Sequence, residues 1–532
     1  MPKLTYLALC ILTVGLMLTA CQKPNDNTNN DTNVNVTENK DKTDKPTNRT
    51  EQIEQLAGVP KSKLIEFDPM EVHQGGGTGI SISSKESYSK PSANISASRK
   101  GNFFIGNAFF KQPWVVPPAS TTSRDGLGPL FNVAACQSCH IKDGRGHAPV
   151  DANDTTDSLL LRLAIVPTTD EQKQQLANSK IEKIPHPAYG GQLQDRSIPG
   201  VHAEAHINTK WVKKIVKFKD GHTVTLRKPV FSFSKEGYGK IGDDTMISPR
   251  IALPMIGLGL LEHIKVEDII AQADPDDKDG NGISGKANKV ISSIDGSVQL
   301  GRFGWKAGQP FLLTQNQGAF NGDMGLTSRL NPKEGCMPVQ TECLNAPNGA
   351  DEQPEGQEPV EVSDDIAKFV NFYTHNLAVP NRRNADDPTV LAGKKRFYSM
   401  GCINCHTPRY QLPTTDDDDL EQHGQVIYPY TDMLLHDMGD DLADRTLSGE
   451  IPSKDVQVEF LANSHEWRTQ PLWGIGLAQT VNEEAGYLHD GRARSPLEAV
   501  LWHGGEAEEA KQKVLELDKQ GRKELEAFLD SL

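Results

Sequence analysis

The sequence has no long apolar run after its first twenty residues, and it lacks an excess of positive charge. Because a membrane-spanning helix needs about 20 consecutive apolar residues, the body of the chain is expected to be soluble and globular. The 56 Lys and Arg residues are outnumbered by 71 Asp and Glu residues, which leaves a formal net charge of −15. Binding to nucleic-acid phosphates needs clustered basic residues, so this balance argues against nucleic acid as a partner.

The N-terminus predicts export and attachment to a membrane through lipid alone. An apolar stretch from Leu7 to Leu18 is too short to span a bilayer and is typical of a signal peptide, here residues 1–20. Small residues precede Cys21, as in a bacterial lipobox, so Cys21 is expected to be lipidated; the alternative is an ordinary secretory signal with an incidental cysteine. Gln22, rather than Asp, favours the outer membrane, facing the periplasm. Residues 21–55 are largely polar and are predicted to form a disordered tether.

The eight cysteines suit an oxidising compartment. Cys10 is removed with the signal peptide, Cys21 takes the lipid, and four others form two C-x-x-C pairs. Cys336 and Cys343 remain, in a loop rich in Pro, Asn and Gly. Oxidation is expected to join these two as a disulfide, so that each of the eight cysteines has an assigned role.

Each C-x-x-C pair is followed directly by a histidine. The two segments are Cys136-Gln137-Ser138-Cys139-His140 and Cys402-Ile403-Asn404-Cys405-His406. Thiols at this spacing lie on one side of a helical turn, where they can form thioethers with haem, and the next His can ligate the iron. A zinc site built from both pairs, or a thiol redox pair, is the alternative, but neither requires the histidines. The pattern therefore predicts two haem c groups, with His140 and His406 as proximal ligands.

Each motif falls in its own predicted domain, so we expect a mainly α protein with two cytochrome c-like haem domains. Residues 56–332 form the first, residues 333–362 an interdomain loop, and residues 363–532 the second. Apolar and polar residues alternate from Trp211 to Phe233 around an Asp-Gly turn, which predicts a small β-hairpin inserted in the first domain. An amphipathic pattern predicts one helix over Lys511 to Leu529.

Several further segments resemble a known family. They are Gly126 to Asn132, Asp143 to Gly146, Ser248 to Arg250, Gly257 to Leu261, Gly301 to Lys306, Tyr430 to Asp432, Leu435 to Gly439, Arg468 to Gly474 and Tyr487 to Arg492. On these residues the chain resembles the bacterial dihaem cytochrome c peroxidase and MauG superfamily, and more closely its dihaem oxidoreductase branch. The resemblance implies that the first haem binds peroxide and that the second relays electrons to it.

The resemblance also implies roles for three residues of the first domain. Trp305 takes the place of a Trp that lies between the two haems in the family; otherwise it is a buried core Trp. Gln315 and Asp323 match a Gln and an acid over the peroxide-binding iron, with Asp in place of Glu and a shorter spacing. Such a carboxylate would move a proton between the peroxide oxygens. The alternative is that Asp323 caps a helix or holds a turn.

Two departures from the family concern the axial positions of the irons. The displaceable His of the classical peroxidases is missing between Lys240 and Pro254, which implies a first haem that is open without reductive activation. Where the family offers Met or Tyr to the second haem, this chain has Glu466, with Met438 and His465 as alternatives nearby in sequence.

An acidic, glycine-rich loop from Asp274 to Gly282 has the composition of a Ca²⁺-binding loop. Asp276 and Asp279 are candidate ligands, and an ordinary acidic turn is the alternative.

The resemblance implies an enzyme that reduces hydrogen peroxide with electrons from a small periplasmic donor, a cytochrome c or a cupredoxin. Two other functions stay open: a MauG-like oxidase of a protein or organic substrate, and a dihaem electron carrier without catalysis.

Overall fold

The computed structural model describes residues 49–58, 60–121, 123–149, 158–350, 359–414 and 420–532. The predicted signal peptide, Cys21 and residues 21–48 of the predicted tether lie outside these ranges. Residues 49–55, which their polar composition had assigned to the tether, lie in a helix, because Ile53 and Ala57 are buried on its inner side.

The helices of the described ranges are short. They are α1 (Arg49–Ala57), α2 (Lys61–Leu64), α3 (Lys100–Lys111), α4 (Cys136–Cys139), α5 (Asp170–Ala177), α6 (Leu258–Glu262), α7 (Val266–Ile270), α8 (Leu312–Met324), α9 (Thr341–Leu344), α10 (Asp364–His375), α11 (Pro388–Ser399), α12 (Ala478–Val481), α13 (Pro496–Trp502), α14 (Glu508–Leu515) and α15 (Lys519–Ser531). None of these helices has both the length and the apolar character needed to cross a membrane.

The strands are also short, with one long pair among them. They are β1 (Leu130–Phe131), β2 (Leu159–Ile165), β3 (Arg196–Ser197), β4 (His206–Lys217), β5 (Thr223–Ser234), β6 (Thr245–Ile251), β7 (Lys289–Ile291), β8 (Val298–Leu300), β9 (Tyr410–Gln411), β10 (Val426–Ile427), β11 (Leu435–Asp437), β12 (Arg445–Thr446), β13 (Gln457–Glu459), β14 (Ala462–Asn463) and β15 (Glu466–Arg468). A three-stranded sheet has the order β12-β6-β2, and the other strands pair two by two as β1-β3, β4-β5, β7-β8, β9-β10, β11-β15 and β13-β14.

The expectation of a mainly α protein is wrong. Helices account for 30% of the structure and strands for 18%, and the strands are spread over many small sheets. The sequence of β2 is a short apolar run, and periodicity alone cannot distinguish such a run in a buried strand from one in a buried helix. Its antiparallel partner β6 lies far along the chain, with Leu159 opposite Ile251, so local patterning could not reveal the pairing. The division into two cytochrome c-like haem domains stays a prediction.

The β-hairpin expected between Trp211 and Phe233 is present, and it is longer than expected. Its strands β4 and β5 have twelve residues each and pair in register from His206 opposite Ser234 to Lys217 opposite Thr223. Val216 and Leu226 pack against the main apolar core, while much of the rest of the pair is exposed.

Glycines permit the closest approaches between helices. At Gly106, α3 packs against the backbone of Phe369 in α10, and at Gly393, α11 packs against the backbone of Glu524 in α15. A side chain at either position would meet that backbone, so the two helix pairs depend on these glycines.

The C-terminal helix differs from its prediction. The single helix expected over Lys511 to Leu529 is divided into α14 and α15, because the Asp518 side chain accepts a hydrogen bond from the Gly521 N–H at 2.8 Å and starts a new helix.

Nearer the middle of the chain, Cys336 and Cys343 are joined by a disulfide.

Candidate active site

Two cavities are each lined by one thiol pair and its histidine. The first cavity contains Cys136, Cys139 and His140, and its empty volume is about 1760 Å³ when space open to solvent is included. The second contains Cys402, Cys405 and His406, and its volume on the same basis is about 1510 Å³. Each C-x-x-C-H motif therefore lies at a cavity of its own.

Both histidines are oriented by a backbone carbonyl. His140 Nδ1 lies 2.7 Å from the Leu253 oxygen, and His406 Nδ1 lies 2.9 Å from the Tyr430 oxygen. Burial lowers the pKa of His140 and of His406 to about 4, although the carbonyl contacts oppose the shift. Both rings are therefore neutral near pH 7, and with Nδ1 bound to a carbonyl they present Nε2 as a metal ligand does.

The thiols do not form a zinc site. A zinc site of this kind needs the thiols of both pairs around one ion, and the two pairs line different cavities. Among the described residues, the one group of three or more Cys, His, Asp or Glu side chains close enough to hold a metal contains neither pair. The four-cysteine alternative therefore lacks its geometry.

One wall of the first cavity is a face of α8. Gln315 and Asp323 both line it, and the small residues Gly318, Ala319 and Gly322 lie between them. A Cβ atom added to Gly318 would meet nothing within 4 Å, so this part of the face is open and flat. A planar group can approach such a face closely, with Gln315 and Asp323 at its two ends.

Asp323 is held by a side chain that the sequence did not single out. Gln192 Nε2 donates a hydrogen bond to Asp323 Oδ1 at 2.9 Å. Burial raises the pKa of Asp323, while Arg162 and the Gln192 hydrogen bond lower it. Arg162 lines the same cavity and forms a β-bridge with Gln192, so the two residues act on Asp323 from one place.

The capping alternative for Asp323 does not fit its position. Asp323 lies in the last turn of α8, next to Gly325, which ends the helix with φ of 68°. A carboxylate in a last turn is unfavourable beside the negative end of the helix dipole, so it does not stabilise this helix. The residue does anchor a loop through its backbone, because its carbonyl accepts from Asn132 N at 2.8 Å and from Val133 N at 3.1 Å.

Trp305 lines both cavities. Its indole N–H donates to the Ile251 carbonyl at 2.9 Å, which fixes the ring. The ring makes edge contacts with Trp467 and His489 at centroid distances of 6.4 Å, and those two rings stack at 3.9 Å with 9° between their planes. Trp305 is also a core residue, so its packing role and its place between the cavities are compatible.

A buried ammonium group lies beside these rings. Lys306 is fully buried, and its Nζ lies 3.8 Å from the centre of the Trp467 ring and 3.1 Å from Asp444. Nζ also donates to the carbonyls of Asn463 at 3.0 Å and Glu466 at 2.8 Å. No local sequence pattern indicates this contact, because a lysine is most often exposed and the partners of Lys306 lie far along the chain.

The candidate sixth ligands of the second site lie in different surroundings. Met438 lines the second cavity. The Glu466 carboxylate is instead 2.6 Å from Lys286 Nζ, and His465 Nε2 is 3.1 Å from Asp440. Met438 is thus the candidate whose side chain has access to the cavity.

Two buried guanidinium groups also line the second cavity. Burial lowers the pKa of Arg468 to about 9, and Arg145 Nη1 is buried without a hydrogen-bond partner. An uncompensated buried cation is costly, and the carboxylates of a haem would supply the missing negative charge. With a thiol pair and an oriented histidine in the same cavity, the residues present fit a covalently bound haem.

The acidic loop brings together a different set of carboxylates from the one predicted. Asp274, Asp277 and Asp279 have oxygen atoms within 4.8 Å of one another. Asp276 lies outside this group, and its carboxylate is 3.5 Å from Lys278 Nζ, because its side chain points to solvent. Ca²⁺ binding at this loop stays a prediction, with Asp279 as the predicted ligand that the cluster contains.

The family described as di-haem oxidoreductase, putative peroxidase, matches residues 70–532 of the chain. This range contains both thiol–histidine cavities, Trp305 and the α8 wall with Gln315 and Asp323. No curated protein matches the chain significantly.

Proposed function

Because the chain belongs to the di-haem oxidoreductase family of peroxidase-like proteins, we propose that it reduces hydrogen peroxide to water with electrons from a small exported donor protein. The observation that carries the proposal is the presence of Asp323 in the same cavity as His140. An electron carrier does not need a buried carboxylate in the cavity of its iron ligand, whereas peroxide reduction needs a group that moves protons.

Each cavity would hold one haem c. Cys136 and Cys139 would form the thioethers in the first and His140 would ligate the iron, with Cys402, Cys405 and His406 in the same roles in the second. When bound, the haems supply the redox chemistry and the iron that takes peroxide. Met438 and Glu466 remain the candidate sixth ligands of the second site, and the cavity lining favours Met438.

The overall reaction consumes one peroxide, two electrons and two protons, and it yields two waters. Asp323 would take the proton from one peroxide oxygen and return it to the other, so that the O–O bond breaks with water as the leaving group. Gln315, at the other end of the same helix face, would donate a hydrogen bond that orients the peroxide. Gln192 and Arg162 would favour the ionised form of the Asp323 carboxylate, because both oppose the effect of burial on its pKa.

Electrons would enter at the second cavity and pass to the first through Trp305, which lines both. Covalent haem c and a protein donor require export, so the lipidated Cys21 and an outer-membrane location facing the periplasm belong to the same proposal. The donor would be a small c-type cytochrome or a cupredoxin.

Steady-state kinetics with purified holoprotein test the proposal. A reduced small donor should be oxidised only in the presence of hydrogen peroxide, with two donor molecules consumed per peroxide. Oxidation of an added protein or organic substrate, with little net turnover of the donor, would favour the oxidase alternative. A protein that exchanges electrons with the donor but does not consume peroxide would be a carrier, and the proposal would be wrong.

A further inference from the structure

The long hairpin formed by β4 and β5 is basic in a chain that is otherwise acidic. Residues 206–234 carry seven basic side chains and one acidic side chain, Asp220, although the whole chain has a net charge of −15. The basic residues are Lys210, Lys213, Lys214, Lys217, Lys219, Arg227 and Lys228. This segment is therefore a local reversal of the protein's charge.

Apolar side chains are exposed on the same hairpin. Ile215 is 72% exposed, and Val212 and Val230 are 47% and 48% exposed. In the strand register Val230 lies opposite Lys210 and Val212 lies opposite Lys228, so the two valines are diagonal neighbours on one face. Successive side chains of a strand point to opposite faces, so Ile215 lies on the other face of β4, between Lys213 and Lys217.

Three of the lysines are available to a partner. Lys210, Lys213 and Lys217 are exposed and have no ion-pair partner among the residues that the structure describes. By contrast, Lys214 is used internally, since its Nζ lies 2.5 Å from Asp441. We call the outer edge of β4, with Lys210 on one face and Lys213, Ile215 and Lys217 on the other, the basic strip.

The hairpin is attached to helices that line the second cavity. Lys214 Nζ lies 5.2 Å from the centre of the Trp502 ring in α13. The Lys219 N–H donates to the Leu515 carbonyl at 2.9 Å, at the end of α14, and Asp220 lies 2.8 Å from Arg522. Residues of α13 and α14 line the cavity of His406, among them Val500 and Lys511. The basic strip thus stands beside the cavity at which electrons would enter.

We propose that the basic strip is the docking surface for an acidic electron-donor protein. The inference rests on the proposed function and adds the charge of the donor and the place where it docks. Aliphatic side chains flanked by lysines suit a transient complex, in which charge steers the encounter and a small apolar contact excludes water. A second copy of this chain is a less suitable partner, because two chains that each carry a net charge of −15 repel each other.

The experiment uses holoprotein and two probes, a small acidic cupredoxin and a basic cytochrome c, both reduced. The rate at which each probe reduces the second haem is measured by stopped flow over a range of ionic strength. The acidic probe should react faster at low salt and lose this advantage as salt rises, because electrostatic steering is screened. The variant Lys210→Glu/Lys213→Glu/Lys217→Glu should lower its rate by roughly tenfold or more at low salt.

A matched variant separates local from overall charge. Lys100→Glu/Lys180→Glu/Lys333→Glu changes the net charge by the same amount at exposed lysines on other segments, and it should leave the rate with the acidic probe close to that of the wild type. Ile215→Ser should weaken binding of the acidic probe, measured by titration calorimetry, and should leave the salt dependence of the rate unchanged.

Peroxide turnover with a small neutral reductant distinguishes the two proposals. It should be the same in all these variants, and its absence from the wild type would refute the proposed function rather than the docking surface. If both triple variants lose the same fraction of the rate with the acidic probe, or if the wild type reacts faster with the basic probe, the docking proposal is wrong. It is also wrong if the defect measured in the strip variant is confined to self-association or to binding of vesicles that contain anionic phospholipid.

Discussion

Gln192 donates a hydrogen bond from Nε2 to Oδ1 of Asp323 at 2.9 Å, and so connects the loop between α5 and β3 to the last turn of α8. The same Nε2 also lies 2.8 Å from the Asn132 side-chain oxygen and 2.9 Å from the Gly322 carbonyl. The amide is thus surrounded by acceptors, and this arrangement fixes the position of the carboxylate at the edge of the first cavity.

Replacing Asp323 should separate catalysis from assembly. Asp323→Asn keeps the size of the side chain but removes its ability to exchange a proton, so haem content and folding should survive. Peroxide turnover should fall by about 10²–10⁴-fold, the usual contribution of a positioned general acid or base. Steady-state rates with haem content measured on the same samples check this. Near-normal turnover would mean that Asp323 is not the proton-transfer group.

Replacing Gln192 should move the pH profile. Gln192 lowers the pKa of Asp323, so Gln192→Leu should raise that pKa further, and the ionised form needed as a base will be lost at a higher pH. The acid limb of kcat/KM for peroxide should therefore shift to higher pH, with the alkaline plateau much less affected. Gln194→Leu is a matched control, because Gln194 Nε2 donates to the Gly322 carbonyl at 2.7 Å and not to the carboxylate. An equal shift in both variants would assign the effect to general loosening of the loop.

Replacing Trp305 should slow electron transfer between the two sites. Trp305→Phe retains an aromatic ring but loses the indole and its hydrogen bond to Ile251, so haem content should be retained while turnover falls. Trp467→Phe is the comparison, because Trp467 lines the second cavity without lining the first. Rapid-mixing spectra should show that electron transfer from the second haem to the first is delayed more in Trp305→Phe than in Trp467→Phe. A larger delay in Trp467→Phe would place the main route through Trp467 and His489 instead.

Replacing Lys306 should cost stability. Lys306→Met leaves Asp444 as an unpaired buried carboxylate, and breaking one side of a buried ion pair typically costs about 3–5 kcal/mol. Lys306→Met/Asp444→Asn should recover part of the loss, because the remaining charge is then removed as well. Urea unfolding of the wild type, Lys306→Met, Asp444→Asn and the double variant, all as holoproteins, measures the free energies. If the loss in the double variant equals the sum of the losses in the two single variants, the ion pair is not the cause.

The sequence was most informative where the chemistry is local. The C-x-x-C-H spacing predicts its site from five adjacent residues, and the structure lines a separate cavity with each motif. The β4–β5 hairpin could also be predicted, because alternation and a turn are local signals. Gln315, Asp323 and Trp305 were expected near the first site through a family resemblance, and they line its cavity.

Contacts between distant segments could not be predicted in this way. The pairing of β2 with β6 and the contact of Gln192 with Asp323 join residues whose separation carries no periodic signal. The surroundings of Glu466 could not be predicted for the same reason, since Lys286 and Lys306 contact it from far along the chain. The break before α15 is a local signal that was missed, because Asp518 is a favoured N-cap within a run that is otherwise amphipathic.

Each cavity is expected to bind one haem through its own motif. A pyridine haemochrome assay combined with intact-protein mass on the wild type and on Cys405→Ala measures this. We expect two covalently bound haem c groups per wild-type chain, and about half of that haem content in Cys405→Ala. A colourless, zinc-containing protein, or a wild-type chain with a single haem, would show that the two cavities are not haem sites of this kind.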